Sequence, residues 1–495
     1  MALVPQYDKI KYECGRTITN KNKAECKLNI TEEEAAGVIS VKAFSYLLSA
    51  EFAGGDIKYG GRTVFTVVYS DGSSFKKTEA GVEFGYKFPV KGDENAKILY
   101  PEVRSYGAEI KIANGIVTAV CDICFSCVLS EECESEYLSS VTGAYLKTIT
   151  CEYGVTVGRT DKEFKAEDEF DTNVLIGSVL THTEKAYVTS CQCGIGSIIC
   201  DGEIELSMTV LPLGSESEAT LLSKKIPFRF ESETPDAMPQ NAVTAKAFVK
   251  GANLKVFADE SKNKSTISAE ITLSIIGAAH ETVTFTPSTD AYSLENELKI
   301  DFSDKKTCVY TGTGYFDKKI ETEISPELKE DEKIVCFTDV SLTGEECFIN
   351  GKAVTVTGVA EIDAIISGGK PRGEKYAVPY EFSFETEGDA KFFGFEATDL
   401  SLETTGNKTA VSFTVRTVYF TGRVNTVKII KCVEEGACKK ASTAAVSVCI
   451  ASAGDDAWDV AKTLGTTESA IKELNSDLEF PLVNDERIVV YRELK

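Results

Sequence analysis

Histidine is nearly missing from this chain. It has two, His182 and His280, in 495 residues, beside one tryptophan, Trp458, and three methionines. Histidine is the commonest general base and a frequent transition-metal ligand, so familiar acid–base and metal chemistry starts with few candidates. Neither histidine neighbours a Gly-x-Ser-x-Gly, His-Glu-x-x-His or phosphate-binding glycine loop, and the chain contains none of these. Both are expected in loops or at strand ends, and neither enzymatic activity nor a cofactor is expected. Long apolar runs are also missing. No stretch reaches the ~18 uncharged apolar residues of a membrane helix, and the amino terminus has no apolar h-region ahead of its charges. The expectation is a cytoplasmic chain with no membrane span. Positive charge is in deficit, with 53 Lys+Arg against 77 Asp+Glu, a net of −24. That balance argues against nucleic acid or anionic membrane as the main partner, because phosphate binding needs clustered cations.

Cysteine, by contrast, is plentiful, with sixteen residues. In a reducing cytosol they are expected as buried thiols behaving as small hydrophobes. Cys121-x2-Cys124-x2-Cys127 invites a metal reading, as do Cys191-x-Cys193-x6-Cys200 and Cys432-x5-Cys438. In a strand, however, Cys121 and Cys127 share a face about 20 Å apart while Cys124 points the other way. Three such thiols do not converge on one ion, so no metal site is expected.

A hydrophobic fraction of 43% with 9% aromatics is that of folded protein, and the length suggests about three or four domains. Internal repetition organises them. An alternating strand follows a glycine at Gly61-Arg-Thr-Val-Phe-Thr-Val-Val-Tyr69, Gly202-Glu-Ile-Glu-Leu-Ser-Met-Thr-Val210 and Gly351-Lys-Ala-Val-Thr-Val-Thr-Gly358. Apolar and polar residues alternate there with the period of a half-buried strand. A second short strand follows each, at 82–88, 226–230 and 378–382. A third comes after an Asn turn (Asn114, Asn263, Asn407), at 120–127, 267–275 and 411–419. Acidic segments at 31–34, 165–170 and 326–332 are expected as solvated loops ahead of each copy. The fold class expected is mainly β: three tandem antiparallel β-sandwich-like repeats (1–140, 141–290, 291–436) and a different module at 441–495.

That module reads strand, helix, helix, strand. Asp455 or Asp456 can cap a helix carrying Ala457, Val460, Ala461 and Leu464. Gly465 ends it, Thr466 or Thr467 caps a second helix, and Arg487–Tyr491 is a strand. Trp458 reads equally as core or as an exposed interface anchor.

Gly454-Asp455-Asp456-Ala457-Trp458-Asp459-Val460-Ala461-Lys462, followed by Ile471-Lys-Glu-Leu474-Asn475, resembles the two motifs of a LysM domain. Asp456 and Ala457 stand where that family has Thr and Leu. The resemblance implies a small βααβ fold and a shallow groove for N-acetylglucosamine polymers between loops 452–456 and 477–482. The binding residues it suggests, for a groove or a protein interface, are Gly454, Asp455, Asp456, Trp458, Asn475, Phe480 and Pro481. From 446 to 495 the chain carries 10 acidic and 5 basic residues. Carboxylates at such a rim accept but do not donate hydrogen bonds, and they favour a basic protein surface over a neutral sugar. The order of parts, repeated β domains and then one LysM, is similar to the SPOCS-domain proteins of endospore formers. That resemblance implies a scaffold made in the mother cell, recruited to the forespore surface and docked on the spore coat morphogenetic ATPase. The alternative partner is peptidoglycan of the cell wall or spore cortex.

Overall fold

The computed structural model describes residues 3–71, 74–215, 218–324, 326–329, 332–368, 371–405, 408–439 and 446–491. Antiparallel strands dominate it. The alternation at 203–210 does what its period requires, since Ile204, Leu206, Met208 and Val210 are fully buried.

The first group of strands is β1 (Val4–Lys27), β2 (Val38–Ala53), β3 (Asp56–Ser70), β4 (Phe75–Pro89), β5 (Lys97–Ala113) and β6 (Ile116–Thr142), with a one-turn helix α1 (Glu32–Ala35) after β1. Strands pair as β1-β6-β5 and β2-β3-β4. Residues of both sheets, among them Ala24 and Phe125 on one and Tyr59 and Phe65 on the other, share one core. After a short strand β7 (Tyr145–Thr148) comes a second group, β8 (Cys151–Thr172), β9 (Ile176–Gly194), β10 (Ser197–Pro212), β11 (Thr220–Glu233), β12 (Ala242–Asp259) and β13 (Lys264–Phe285). Its pairing is β8-β13-β12 and β9-β10-β11. Another short strand, β14 (Ser288–Tyr292), precedes β15 (Asn296–Ile324), β16 (Lys333–Asn350), β17 (Ala353–Ser367), β18 (Arg372–Glu385), β19 (Asp389–Thr405) and β20 (Lys408–Cys438). These pair as β15-β20-β19 and β16-β17-β18. The same strand order thus occurs three times. We call the groups units 1, 2 and 3.

One detail of register recurs with it. Gly61 lies opposite Phe84, Gly202 opposite Phe228 and Gly358 opposite Tyr380. The aromatic ring folds over the bare backbone, so a Cβ at Gly202 would lie 2.3 Å from the Phe228 ring and 2.5 Å from Tyr187 O. In unit 3 the glycine in this position is Gly358. Gly351, which opens the sequence motif, sits in the hairpin turn with φ +64°. Asn114 and Asn263 turn their hairpins with positive φ, 51° and 49°; Asn407 lies outside the described residues.

Two acidic segments are not loops. Glu32 to Glu34 form α1, closed by a capping box between Thr31 and Glu34. Residues 165–170 lie inside β8, an edge strand, where charges on the open side discourage pairing with another chain.

The units close against one another. One cluster draws Ile39 and Val68 from unit 1, Leu180 and Ala219 from unit 2, and Cys336 and Ile365 from unit 3. Another joins Tyr100 and Val128, Ile276 and Phe420. The two short connecting strands, β7 and β14, pair with each other as a ribbon. Beyond unit 3, β21 (Val446–Ala451), α2 (Ala457–Leu464), α3 (Glu468–Leu474) and β22 (Glu486–Tyr491) form a small module with β21 and β22 antiparallel. Asp456 caps α2, Thr467 caps α3, and Gly465 ends α2 in the left-handed region. No helix among the described residues is long and apolar enough to cross a membrane.

Candidate functional site

The residues expected to bind lie in the carboxyl-terminal module, and most of them are engaged internally. Gly454 (φ 96°) and Asp455 tie the two loops of the expected groove together: Gly454 N–H donates to Leu482 O at 2.7 Å, and Leu482 N–H to Asp455 O at 2.9 Å. Asn475 is buried. Its amide donates to Ile471 O and Val489 O and accepts from Val489 N–H, so it welds α3 to β22. Phe480 packs against the module core, and Pro481 is exposed beside it.

Asp456 and Trp458 face the β7–β14 ribbon. Asp456 caps α2 through Asp459 N–H and pairs with Lys147 at 2.5 Å. Trp458 is 5% exposed, packed edge-on to Tyr292 at 4.8 Å, with Nε1–H donating to Asp290 Oδ2 at 2.8 Å. The open reading of Trp458 therefore resolves as core, shared between the module and the ribbon. Lys462 adds bonds to both Asp290 oxygens, at 2.8 and 2.7 Å. Burial works to raise the Asp290 carboxyl, but these donors prevail and lower it.

A second locus, unexpected from sequence, is a cavity of about 390 Å³ where the three units meet. Its walls come from β2 and β5 of unit 1, β9 and β12 of unit 2, and β16 and β19 of unit 3. At one side Asp339 stands between Lys42 (3.2 Å) and Lys185 (3.1 Å), one residue from each unit. At another, Glu102 pairs with Lys246 (2.6 Å) and Arg104 (2.8 Å), and Arg104 reaches Glu396 at 3.4 Å. Burial alone would push both acids up, yet the adjacent cations hold Asp339 and Glu102 at about 2. Where pairing is weaker, burial wins and raises Glu396 and Asp363. Lys42-Ala-Phe44 and Lys185-Ala-Tyr187 occupy matching strands, β2 and β9. That shared Lys-Ala-aromatic pattern was the signal in the sequence for this locus.

Both histidines stand in strands. His182 on β9, at the cavity wall, shares a 2.6 Å hydrogen bond with Glu184. His280 on β13 is buried, with Thr244 Oγ1 at 2.8 Å from Nε2, Thr156 Oγ1 at 3.2 Å from Nδ1 and the Tyr310 ring tilted against its own at 4.4 Å. The loop or strand-end expectation fails for both: His182 lies inside β9 with Glu184 as its partner, and at His280 hydroxyls on neighbouring strands satisfy both ring nitrogens.

All sixteen cysteines are free thiols. Cys121 and Cys127 point into the core of unit 1, and Cys124 lies on the opposite face of β6. Among the described residues no cluster of three His, Cys, Asp or Glu is arranged to hold a metal ion.

The fold is thus a mainly β protein of small antiparallel sheets with charged groups locked between units and a small helical module on the connecting ribbon. No family model, curated protein or solved structure matches the chain.

Proposed function

We propose that this chain is a scaffold of endospore coat or envelope assembly, with three SPOCS-like β repeats and a LysM-like tail that docks on a coat morphogenetic protein. The observation that carries the reading is the internal pairing of the central charges. Lys185 spends its ammonium on Asp339, Val340 O (2.7 Å) and Ala397 O (2.8 Å). Side chains committed in this way hold domains in place rather than turn over a substrate. His182, one of several titratable groups at the cavity, has its hydrogen bond to Glu184 and no bonded hydroxyl or thiol nucleophile among the described residues. The strand order recurring three times and the βααβ order with the Gly454–Lys462 motif support the SPOCS and LysM resemblances.

On this reading the protein acts in the mother-cell cytoplasm and is recruited to the forespore surface. A fluorescent fusion of the full chain in a sporulating endospore former should form a shell around the forespore. Diffuse signal, or tight salt-insensitive pelleting of the chain with purified peptidoglycan, would overturn the proposal and favour the wall-binding alternative.

A further inference from the structure

Tyr292 belongs to the ribbon by sequence but to the module by packing. It is 3% exposed within the cluster of Trp458, Val460, Ala461, Ile471, Leu482, Ile488 and Val490. Its hydroxyl donates to Thr466 O at 2.8 Å, beyond the end of α2. Two residues earlier, Asp290 receives Trp458 and Lys462. The module therefore holds a pocket with a tryptophan wall, a carbonyl at its floor and two donors at its mouth, and an aspartate and a tyrosine at i and i+2 fill it. The ion pairs around the pocket are partly solvated: side-chain exposures are 42% and 35% for Lys147 and Asp456, and 41% and 23% for Lys462 and Asp290. Pairs of that kind add little affinity and are screened by salt, which leaves the buried tyrosine as the main anchor.

We propose that this face of α2 is a recognition site for an extended segment carrying a carboxylate two residues ahead of a tyrosine, filled here by Asp290 and Tyr292 and exchangeable for such a segment on a partner protein. The inference deepens the scaffold reading by naming the chemistry of the tail's partner. An aspartate answers Trp458 and Lys462 together, and asparagine forfeits the charge. Phenylalanine fills the same space but leaves Thr466 O without its donor.

Trp458, the chain's only tryptophan, reports occupancy directly. The full chain carrying Asp290→Ala and Tyr292→Ala is titrated with the synthetic peptide Ser-Thr-Asp-Ala-Tyr-Ser-Leu-Glu, the sequence of residues 288–295, while Trp458 emission is followed. Saturable binding is expected, a few-fold weaker when the peptide's Asp is Asn and about tenfold weaker when its Tyr is Phe. Because the double variant removes a core side chain, the isosteric Asp290→Asn chain is titrated in parallel; there the peptide should compete at lower concentration than in the wild type. If the double variant does not fold, the Asp290→Asn chain decides. Absence of a saturable change in every chain that folds, or binding of the Asn and Phe peptides as tight as that of the parent peptide, overturns the proposal. Self-association of the vacated chain without peptide would assign the exchange to a second copy and overturn the partner-protein assignment. Peptide binding by a chain whose fusion stays diffuse in sporulating cells would uphold the pocket and refute the scaffold reading.

Discussion

Lys185 Nζ of unit 2 lies 3.1 Å from Asp339 Oδ1 of unit 3, and the same ammonium bonds two backbone carbonyls of unit 3. Lys42 of unit 1 approaches the other oxygen of Asp339 at 3.2 Å. One carboxylate thus joins three units separated by some 150 residues of chain at each step. Removing one partner of a buried ion cluster leaves the rest uncompensated, whereas replacing all of it with apolar groups is often neutral. Asp339→Ala should therefore lower stability by about 3–5 kcal/mol. Lys42→Met, Lys185→Met and Asp339→Leu together should recover most of that loss. Urea denaturation of the two variants checks this; equal losses would mean the cluster is not acting as a unit.

The glycine–aromatic register sets a steric test. Gly202→Ala brings a Cβ to 2.3 Å from the Phe228 ring and 2.5 Å from Tyr187 O. The cost expected for overpacking of this kind is about 1–3 kcal/mol. Gly85→Ala meets nothing within 4 Å and serves as the control. If thermal unfolding midpoints of the two variants coincide, the close approach is not structural.

The two histidines should give opposite pH dependences. Burial holds His280 down at about 3, with Arg159 adding to the effect. Its protonation therefore favours the unfolded chain, so its contribution is complete above about pH 6.5 and is lost as pH falls toward 3, at about 1.4 kcal/mol per unit. For His182 burial also opposes protonation, but the Glu184 carboxylate outweighs it and raises the group. Its contribution is present below about 6.5 and is lost as pH rises through the folded value. His280→Gln should flatten the decline in urea midpoint between pH 7 and 5, and His182→Gln should steepen it. Parallel profiles for both variants and the wild type would contradict these assignments.

Asp456 carries two duties, capping α2 and pairing with Lys147. Asp456→Lys should cost about 1 kcal/mol for the cap and add repulsion from Lys147. Lys147→Glu in the same chain should restore the pairing but not the cap. Trp458 emission during unfolding at low and high salt separates the two effects. The pairing part should shrink as salt rises, and the cap part should not.

The thiols should be slow to react at neutral pH. Burial pushes Cys127 and Cys336 up to about 12, with Lys42 slightly opposing it at Cys336. Since the thiolate is the nucleophile, alkylation in native buffer should reach exposed Cys438 well before these two. Mass spectrometry of digests counts the labels, and prompt labelling of Cys127 would mean that the core of unit 1 opens freely.

Near neighbours along the chain settle the local elements. Period-2 alternation at 203–210 specifies a strand and its buried face, because successive side chains of extended backbone must point to opposite sides. Asn114 and Asn263 mark hairpins because they tolerate positive φ, and Asp456, Thr467 and Gly465 bound two helices because those side chains and that backbone satisfy helix ends locally. Which distant groups meet depends on how strands far apart in the chain pack together. The strand pattern puts Lys42, Lys185 and Asp339 on their strands, but a local pattern carries no record of which strand of another unit lies opposite. Acidic runs 165–170 and 31–34 read as loops because charge marks solvent exposure, and an edge strand and a capped helical turn are exposed as well. Trp458 had two readings for the same reason: a tryptophan on a short amphipathic helix is buried or displayed according to what covers it. Here the cover is Asp290 and Tyr292, from a strand more than 160 residues earlier in the chain.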